Sequence, residues 1–128
     1  MILVVDDERG VRELVRRLAE RAGYQTVEAD SADAALRIIQ QDPQLQLMLT
    51  DIVMPRMSGL MLAAQAHILR PSLAVIFMTG FADLYQEELS GSVCLRKPFK
   101  PAELLAAIQD VIGPPHQKDE SGRSCAPR

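Results

Sequence analysis

Five short apolar runs, each followed by a stretch of helical periodicity, constrain this chain more than any other feature. The first, Ile2–Val5, reads ILVV and is apolar at every position, the pattern of a strand covered on both faces. Val11, Leu14, Val15, Leu18 and Ala22 then fall on one face of a helix, which Gly23 stops. Residues 24–29 read as a second strand. Ser31 caps a second helix with Ala32, Ala35, Leu36 and Ile39 inward, and Pro43 ends that unit. Residues 45–50 form a third strand. Ser58 caps a third helix with Leu60, Ala63, Ala64 and Ile68 on its buried side, closed by Pro71. Residues 74–78 are a fourth strand, 83–89 a short and weak helix, and 93–95 a brief fifth strand. Pro101 suits the first turn of a last helix that points Leu104, Leu105, Ile108, Val111 and Ile112 inward.

Alternation of this kind predicts an α/β fold with a parallel sheet and helices on both faces. Right-handed crossovers leave few topologies. Five strands favour the flavodoxin-like, doubly wound (βα)5 order 2-1-3-4-5, as a single domain over residues 1–113. The 128-residue length suits one domain. A chain of that size buries roughly 68% of its unfolded surface, enough to fold without disulfides or a structural metal. After Gly113 the composition changes: residues 114–128 hold three of the eight prolines and almost no large apolar side chain, which predicts a disordered polar tail.

The net charge of −3 gives no surface for nucleic acid. Cys94 and Cys125 form no CxxC pair and have no histidine at ligand spacing, which argues against structural zinc. Two unpaired thiols fit a reducing cytosol. No apolar run approaches the ~18 residues of a membrane span, and the first residues lack a signal-peptide layout. The expectation is a cytoplasmic protein with no direct membrane insertion.

Open α/β sheets place their sites at the carboxyl ends of the strands. Strand one ends in Asp6 and Asp7, strand three in Asp51, strand four in Thr79 and Gly80, and strand five runs into Lys97, Pro98 and Phe99. The predicted strand order brings these ends together. Carboxylates about 5 Å apart repel by roughly 3 kcal/mol per pair at an effective dielectric near 20. Lys97 offsets one charge, and the excess calls for a hard divalent cation, Mg²⁺ by preference. Asp51, facing a metal, an ammonium and a hydroxyl, is equipped as a nucleophile toward phosphorus, with Lys97 and Thr79 receiving phosphoryl oxygens.

The stretches ILVVDDE, LTDIVMPRMSG, IFMTG and RKPF resemble, in order and spacing, the receiver (phosphoacceptor) domain of bacterial two-component response regulators. The likeness covers about residues 1–113. It implies that Asp51 accepts a phosphoryl group from a phosphohistidine, on a sensor histidine kinase or a histidine phosphotransfer domain. It implies a Mg²⁺ site from Asp6, Asp7, Asp51 and the Val53 carbonyl, and a cis Lys97–Pro98 bond. Cys94, the short fourth helix and the CLRKPF wording resemble the C-terminal receivers of hybrid sensor kinases.

Four positions depart from the family pattern. Cys94 stands where receivers typically carry Tyr or Phe. Lys100 replaces the usual hydroxyl cap of the last helix, a loss of about 1 kcal/mol. Val53 and Phe81 set apolar side chains beside the phosphate position, which predicts slow hydrolysis. His67 is read as a helix-surface residue, and the methionines as packing. Two other readings compete. A Mg²⁺ phosphohydrolase with Asp51 as nucleophile lacks a second acid, since Val53 stands two residues on. A phosphorylation-independent interaction module leaves the intact set Asp6, Asp7, Asp51, Thr79 and Lys97 without a purpose. The chain is therefore expected to catalyse only its own phosphorylation and dephosphorylation.

Overall fold

The computed structural model describes residues 1–81 and 85–115. Within them the elements run β1 (Ile2–Val5), α1 (Arg9–Arg21), β2 (Thr26–Ala29), α2 (Ala32–Gln41), β3 (Leu47–Asp51), α3 (Gly59–Leu69), β4 (Ala74–Thr79), α4 (Gln86–Leu89), β5 (Val93–Arg96) and α5 (Pro101–Ile112). All pairings are parallel, in the order β2-β1-β3-β4-β5. The doubly wound fold expected from the alternation is the fold observed.

Strand periodicity sorts the core into two layers. Ile2, Val4, Leu47, Leu49, Ile76, Met78 and Leu95 pack with Val15 and Ala19 of α1 and with Leu104 and Ile108 of α5. Leu3, Val5, Met48 and Phe77 pack with Ala35 and Ile39 of α2 and with Leu62 and Ala66 of α3. Both faces of the sheet are covered, which is why β1 and β3 are apolar without alternation. Ser31 Oγ accepts the Ala34 N–H and Ser58 Oγ the Met61 N–H, each at 3.2 Å, so both expected caps are present. At α5 the missing hydroxyl is partly offset, because the Glu103 carboxylate accepts the Lys100 N–H at 2.8 Å.

Several expectations are corrected. The buried side of α3 is Gly59, Leu62, Ala63 and Ala66, whereas Ala64 is exposed and Ile68 is 80% exposed. Gly59 sets this rotation: a Cβ there would collide with the Asp51 carbonyl oxygen, and its N–H donates to the Ile52 carbonyl at 2.8 Å. Leu14 of α1 is likewise exposed, the covered stripe running through Val15 and Ala19. β2 begins at Thr26 because Tyr24, just past α1, is still tied back to that helix. The Tyr24 N–H donates to the Ala19 carbonyl, and its hydroxyl donates to the Gly113 carbonyl at 2.8 Å. β3 starts two residues later than expected and includes Asp51. The start of the expected 83–89 helix and the tail beyond Pro115 lie outside the described residues.

Candidate functional site

Period-two geometry determines which polar side chains meet. Asp6 follows Val4 by two residues, Asp51 follows Leu49, and Lys97 follows Leu95, three residues that face the same core layer. The three polar groups therefore emerge on one side of the sheet, where apolar packing ends. Lys97 Nζ donates to Asp6 Oδ2 at 3.1 Å and to Asp51 Oδ2 at 3.3 Å. Asp6 is fully buried and Asp51 nearly so. The other Asp6 oxygen accepts the Glu8 N–H at 2.9 Å, which holds the turn into α1. Lys97–Pro98 is cis, as the resemblance implied.

Asp7 is exposed, yet it completes the cluster: one carboxylate oxygen from each of Asp6, Asp7 and Asp51 lies within 4.8 Å of the others. Thr79 arrives from the other face, two residues beyond Phe77, and is fully buried. Its carbonyl accepts the Lys97 N–H at 2.8 Å, which locks the ends of β4 and β5 side by side. Its hydroxyl oxygen accepts the Phe81 N–H at 3.0 Å, a contact that uses a lone pair and not the hydroxyl hydrogen. A cleft of about 340 Å³ opens over the cluster, lined by Asp7, Glu8, Asp51, Val53, Gly80, Phe81 and Lys97.

Burial pushes the Asp51 carboxyl above the usual carboxylate range; the Lys97 ammonium opposes this and the Asp6 charge adds to it. For Lys97, burial pulls downward, but Asp6 and Asp51 outweigh it and the ammonium is held above its ordinary value. One permanent cation thus faces three acids. Hard, closely spaced carboxylate oxygens in excess of their counter-charge form a donor set that suits Mg²⁺.

Sequence reasoning passed over a side chain that holds the site, Arg12, and the arginine that shares its partner Glu28. Arg12 of α1 donates through Nη1 to the Asp6 carbonyl at 2.8 Å and through Nε to Glu28 at 2.9 Å. Arg16 pairs with the other Glu28 oxygen at 2.8 Å. The only signal in the sequence was an arginine pair one turn apart beside the apolar stripe of α1. Cys94 is half-buried against the layer containing Phe77 and Leu89; burial pushes its thiol up, with Arg96 opposing.

The response regulator receiver domain family matches residues 2–109. The chain belongs to that family. The receiver protein CpdR of Brucella abortus is 34% identical over 115 residues, covering 87% of this receiver and 95% of its own chain. The receiver domain of the hybrid histidine kinase CckA superposes with a TM-score of 0.76 at 28% identity, covering 87% of this chain and 97% of that one. TrrA of Thermotoga maritima, whose structure was solved in complex with Mg²⁺ and BeF, superposes at 0.79 with 26% identity over 87% and 97%. This receiver is a two-component signalling domain, and receivers of its family take phosphoryl groups from histidine kinases. Among its described residues no helix is long and apolar enough to cross a membrane.

Proposed function

We propose that the receiver accepts a phosphoryl group on Asp51, from the phosphohistidine of a sensor kinase or histidine phosphotransfer domain, in a Mg²⁺-dependent reaction. The observation that carries this reading is Lys97 Nζ bridging Asp6 and Asp51 inside the acidic cluster. An Asp51 carboxylate oxygen forms a bond to phosphorus as the phosphorus–nitrogen bond breaks. The departing electron pair returns to the imidazole, which is protonated from solvent. Lys97 and the Thr79 hydroxyl take phosphoryl oxygens, stabilising charge where it builds up. Asp6, Asp7, Asp51 and the Val53 carbonyl would hold Mg²⁺, which supplies further charge neutralisation at the phosphoryl oxygens. Gly80 leaves the donor room.

Val53 and Phe81 are about half exposed and line the cleft mouth. Neither side chain offers a polar atom to orient an attacking water, so the acyl phosphate persists. The receiver catalyses its own phosphorylation and turns over no outside substrate. Incubation with acetyl phosphate and Mg²⁺ is expected to give a hydroxylamine-labile phosphoprotein that outlasts donor removal. Labelling that survives EDTA, or resists hydroxylamine, contradicts this reading.

A further inference from the structure

Arg12 breaks a local rule of helix formation. It stands with Arg9 in the first turn of α1, and that turn carries no acid. The free N–H groups of a helix start favour negative side chains there. Yet Arg12 precedes Val15 by three residues and so shares the stripe that α1 turns toward the sheet; only 15% of its side chain is exposed. Its partner is equally out of place. Glu28 lies beside Val4 in the sheet register, on the face that α1 covers. Arg12 Nε is 2.9 Å from one Glu28 oxygen, and Arg16 Nε is 2.8 Å from the other. Arg16 also reaches Glu20 at 3.0 Å, whose second oxygen accepts the Thr26 hydroxyl at 2.6 Å. This string of charges ties α1 to β2 and aims Arg12 Nη1 at the Asp6 carbonyl, 2.8 Å away.

That carbonyl belongs to the peptide joining Asp6 to Asp7. The rest of Asp6 is held separately: its N–H donates to the Ala29 carbonyl at 3.3 Å, and its two side-chain oxygens accept the Glu8 N–H and the Lys97 ammonium. Asp7 is the exposed member of the three acids whose oxygens gather within 4.8 Å, so packing does little to fix it. Because the peptide is planar, the direction of the Asp6 carbonyl determines where the Asp7 Cα lies. We infer that Arg12 is a positioning residue of the metal site: through the Asp6–Asp7 peptide it holds Asp7 within reach of the cation and so sets Mg²⁺ affinity. This rests on the Mg²⁺-dependent reading above and adds to it a residue that touches neither the metal nor the phosphoryl group.

Charge and positioning predict opposite signs for the loss of Arg12. Removing a cation near three carboxylates makes the site more negative and by itself tightens Mg²⁺ binding. Removing the bond that orients Asp7 loosens it, and partners that orient metal ligands typically control affinity by roughly ten- to a hundredfold. Glu28 serves both ends: it anchors the Arg12 fork and answers its charge, so the arginine orients the turn without competing with the metal.

Mg²⁺ titrations of the metal-free wild type, Arg12→Met and Arg9→Met, followed by amide chemical shifts at constant ionic strength, separate the two. Arg12→Met is expected to bind Mg²⁺ about tenfold more weakly or worse, with a lowered order parameter at the Asp7 amide before any metal is added. Arg9→Met removes the same charge from the same turn and should bind as tightly as the wild type or slightly tighter. Glu28→Gln loosens the fork without removing it and should weaken binding by less, a second reading of the link if Arg12→Met fails to fold. Affinity unchanged or raised in both Arg12→Met and Glu28→Gln overturns the inference. Weaker binding with the Asp7 amide as ordered as in the wild type overturns it equally. A wild type that binds no Mg²⁺ overturns the metal reading beneath, and the inference falls with it.

Discussion

At the amino-terminal rim of the sheet, four donors from separate segments close on backbone carbonyl oxygens, whereas the carboxyl-terminal rim crowds three carboxylates and an ammonium into one cleft. Tyr24 donates to the Gly113 carbonyl, Gln46 to that of Met1, Ala74 to that of Gln46 and Arg70 to that of Leu45. At the opposite rim Asp6, Asp51 and Thr79 are buried, and Lys97 is shared between two acids. The same strands serve both ends. One rim lowers the free energy of the fold, and the other holds charge that the fold alone does not neutralise. Substitutions at the two rims should therefore move stability and chemistry in different combinations.

The largest effect is expected from Lys97→Ala. It removes the cation between two buried carboxylates, and losing one partner of a buried pair costs about 3 kcal/mol. Chemical denaturation in metal-free buffer should show that loss, with added Mg²⁺ recovering more stability than in the wild type. Gly59→Ala comes next, because its Cβ has no space beside the Asp51 carbonyl. Overpacking there should cost about 2 kcal/mol and slow phosphorylation by shifting Asp51, whereas Ala64→Gly on the exposed side of α3 should leave the phosphorylation rate unchanged.

Asp51→Asn reverses the sign. Burial and Asp6 hold the Asp51 carboxyl above the ordinary range, so its ionised form costs stability. That cost is absent below the unfolded carboxylate pKa and grows as pH rises through the folded one. At neutral pH without metal the variant should be about 1 kcal/mol more stable than the wild type, and acidification should narrow the difference. The smallest effect belongs to the quiet rim. Tyr24→Phe gives up one hydrogen bond, about 1 kcal/mol, with unchanged phosphorylation. Burial raises the Tyr24 hydroxyl, so its contribution is complete below the unfolded tyrosine pKa and fades as pH climbs through the folded one. Alkaline thermal melts of both proteins should converge.

The contrast between rims also shows what could be read from residues alone. Continuous apolar runs placed Asp6, Asp51 and Lys97 at strand ends, and right-handed crossovers brought those ends together, so most of the site was legible in the sequence. The α3 face was not. A helix whose polar side chains are Gln65 and His67 alone carries little phase, and the close approach of Gly59 to the Asp51 carbonyl turns Leu62 and Ala66 inward in place of Ile68. Arg12 escaped notice for a related reason: it acts on the Asp6 backbone carbonyl, and a motif of side chains does not record that contact. The expected Lys100 weakness overlooked Glu103 three residues on, which reaches back to the exposed N–H.

The most direct measurement is the intact mass of the wild type and of Asp51→Asn after incubation with acetyl phosphate and Mg²⁺. A gain of about 80 Da, one phosphoryl group on one carboxylate, is predicted for the wild type alone. An equal gain in the variant, or none in either, would contradict Asp51 as the acceptor.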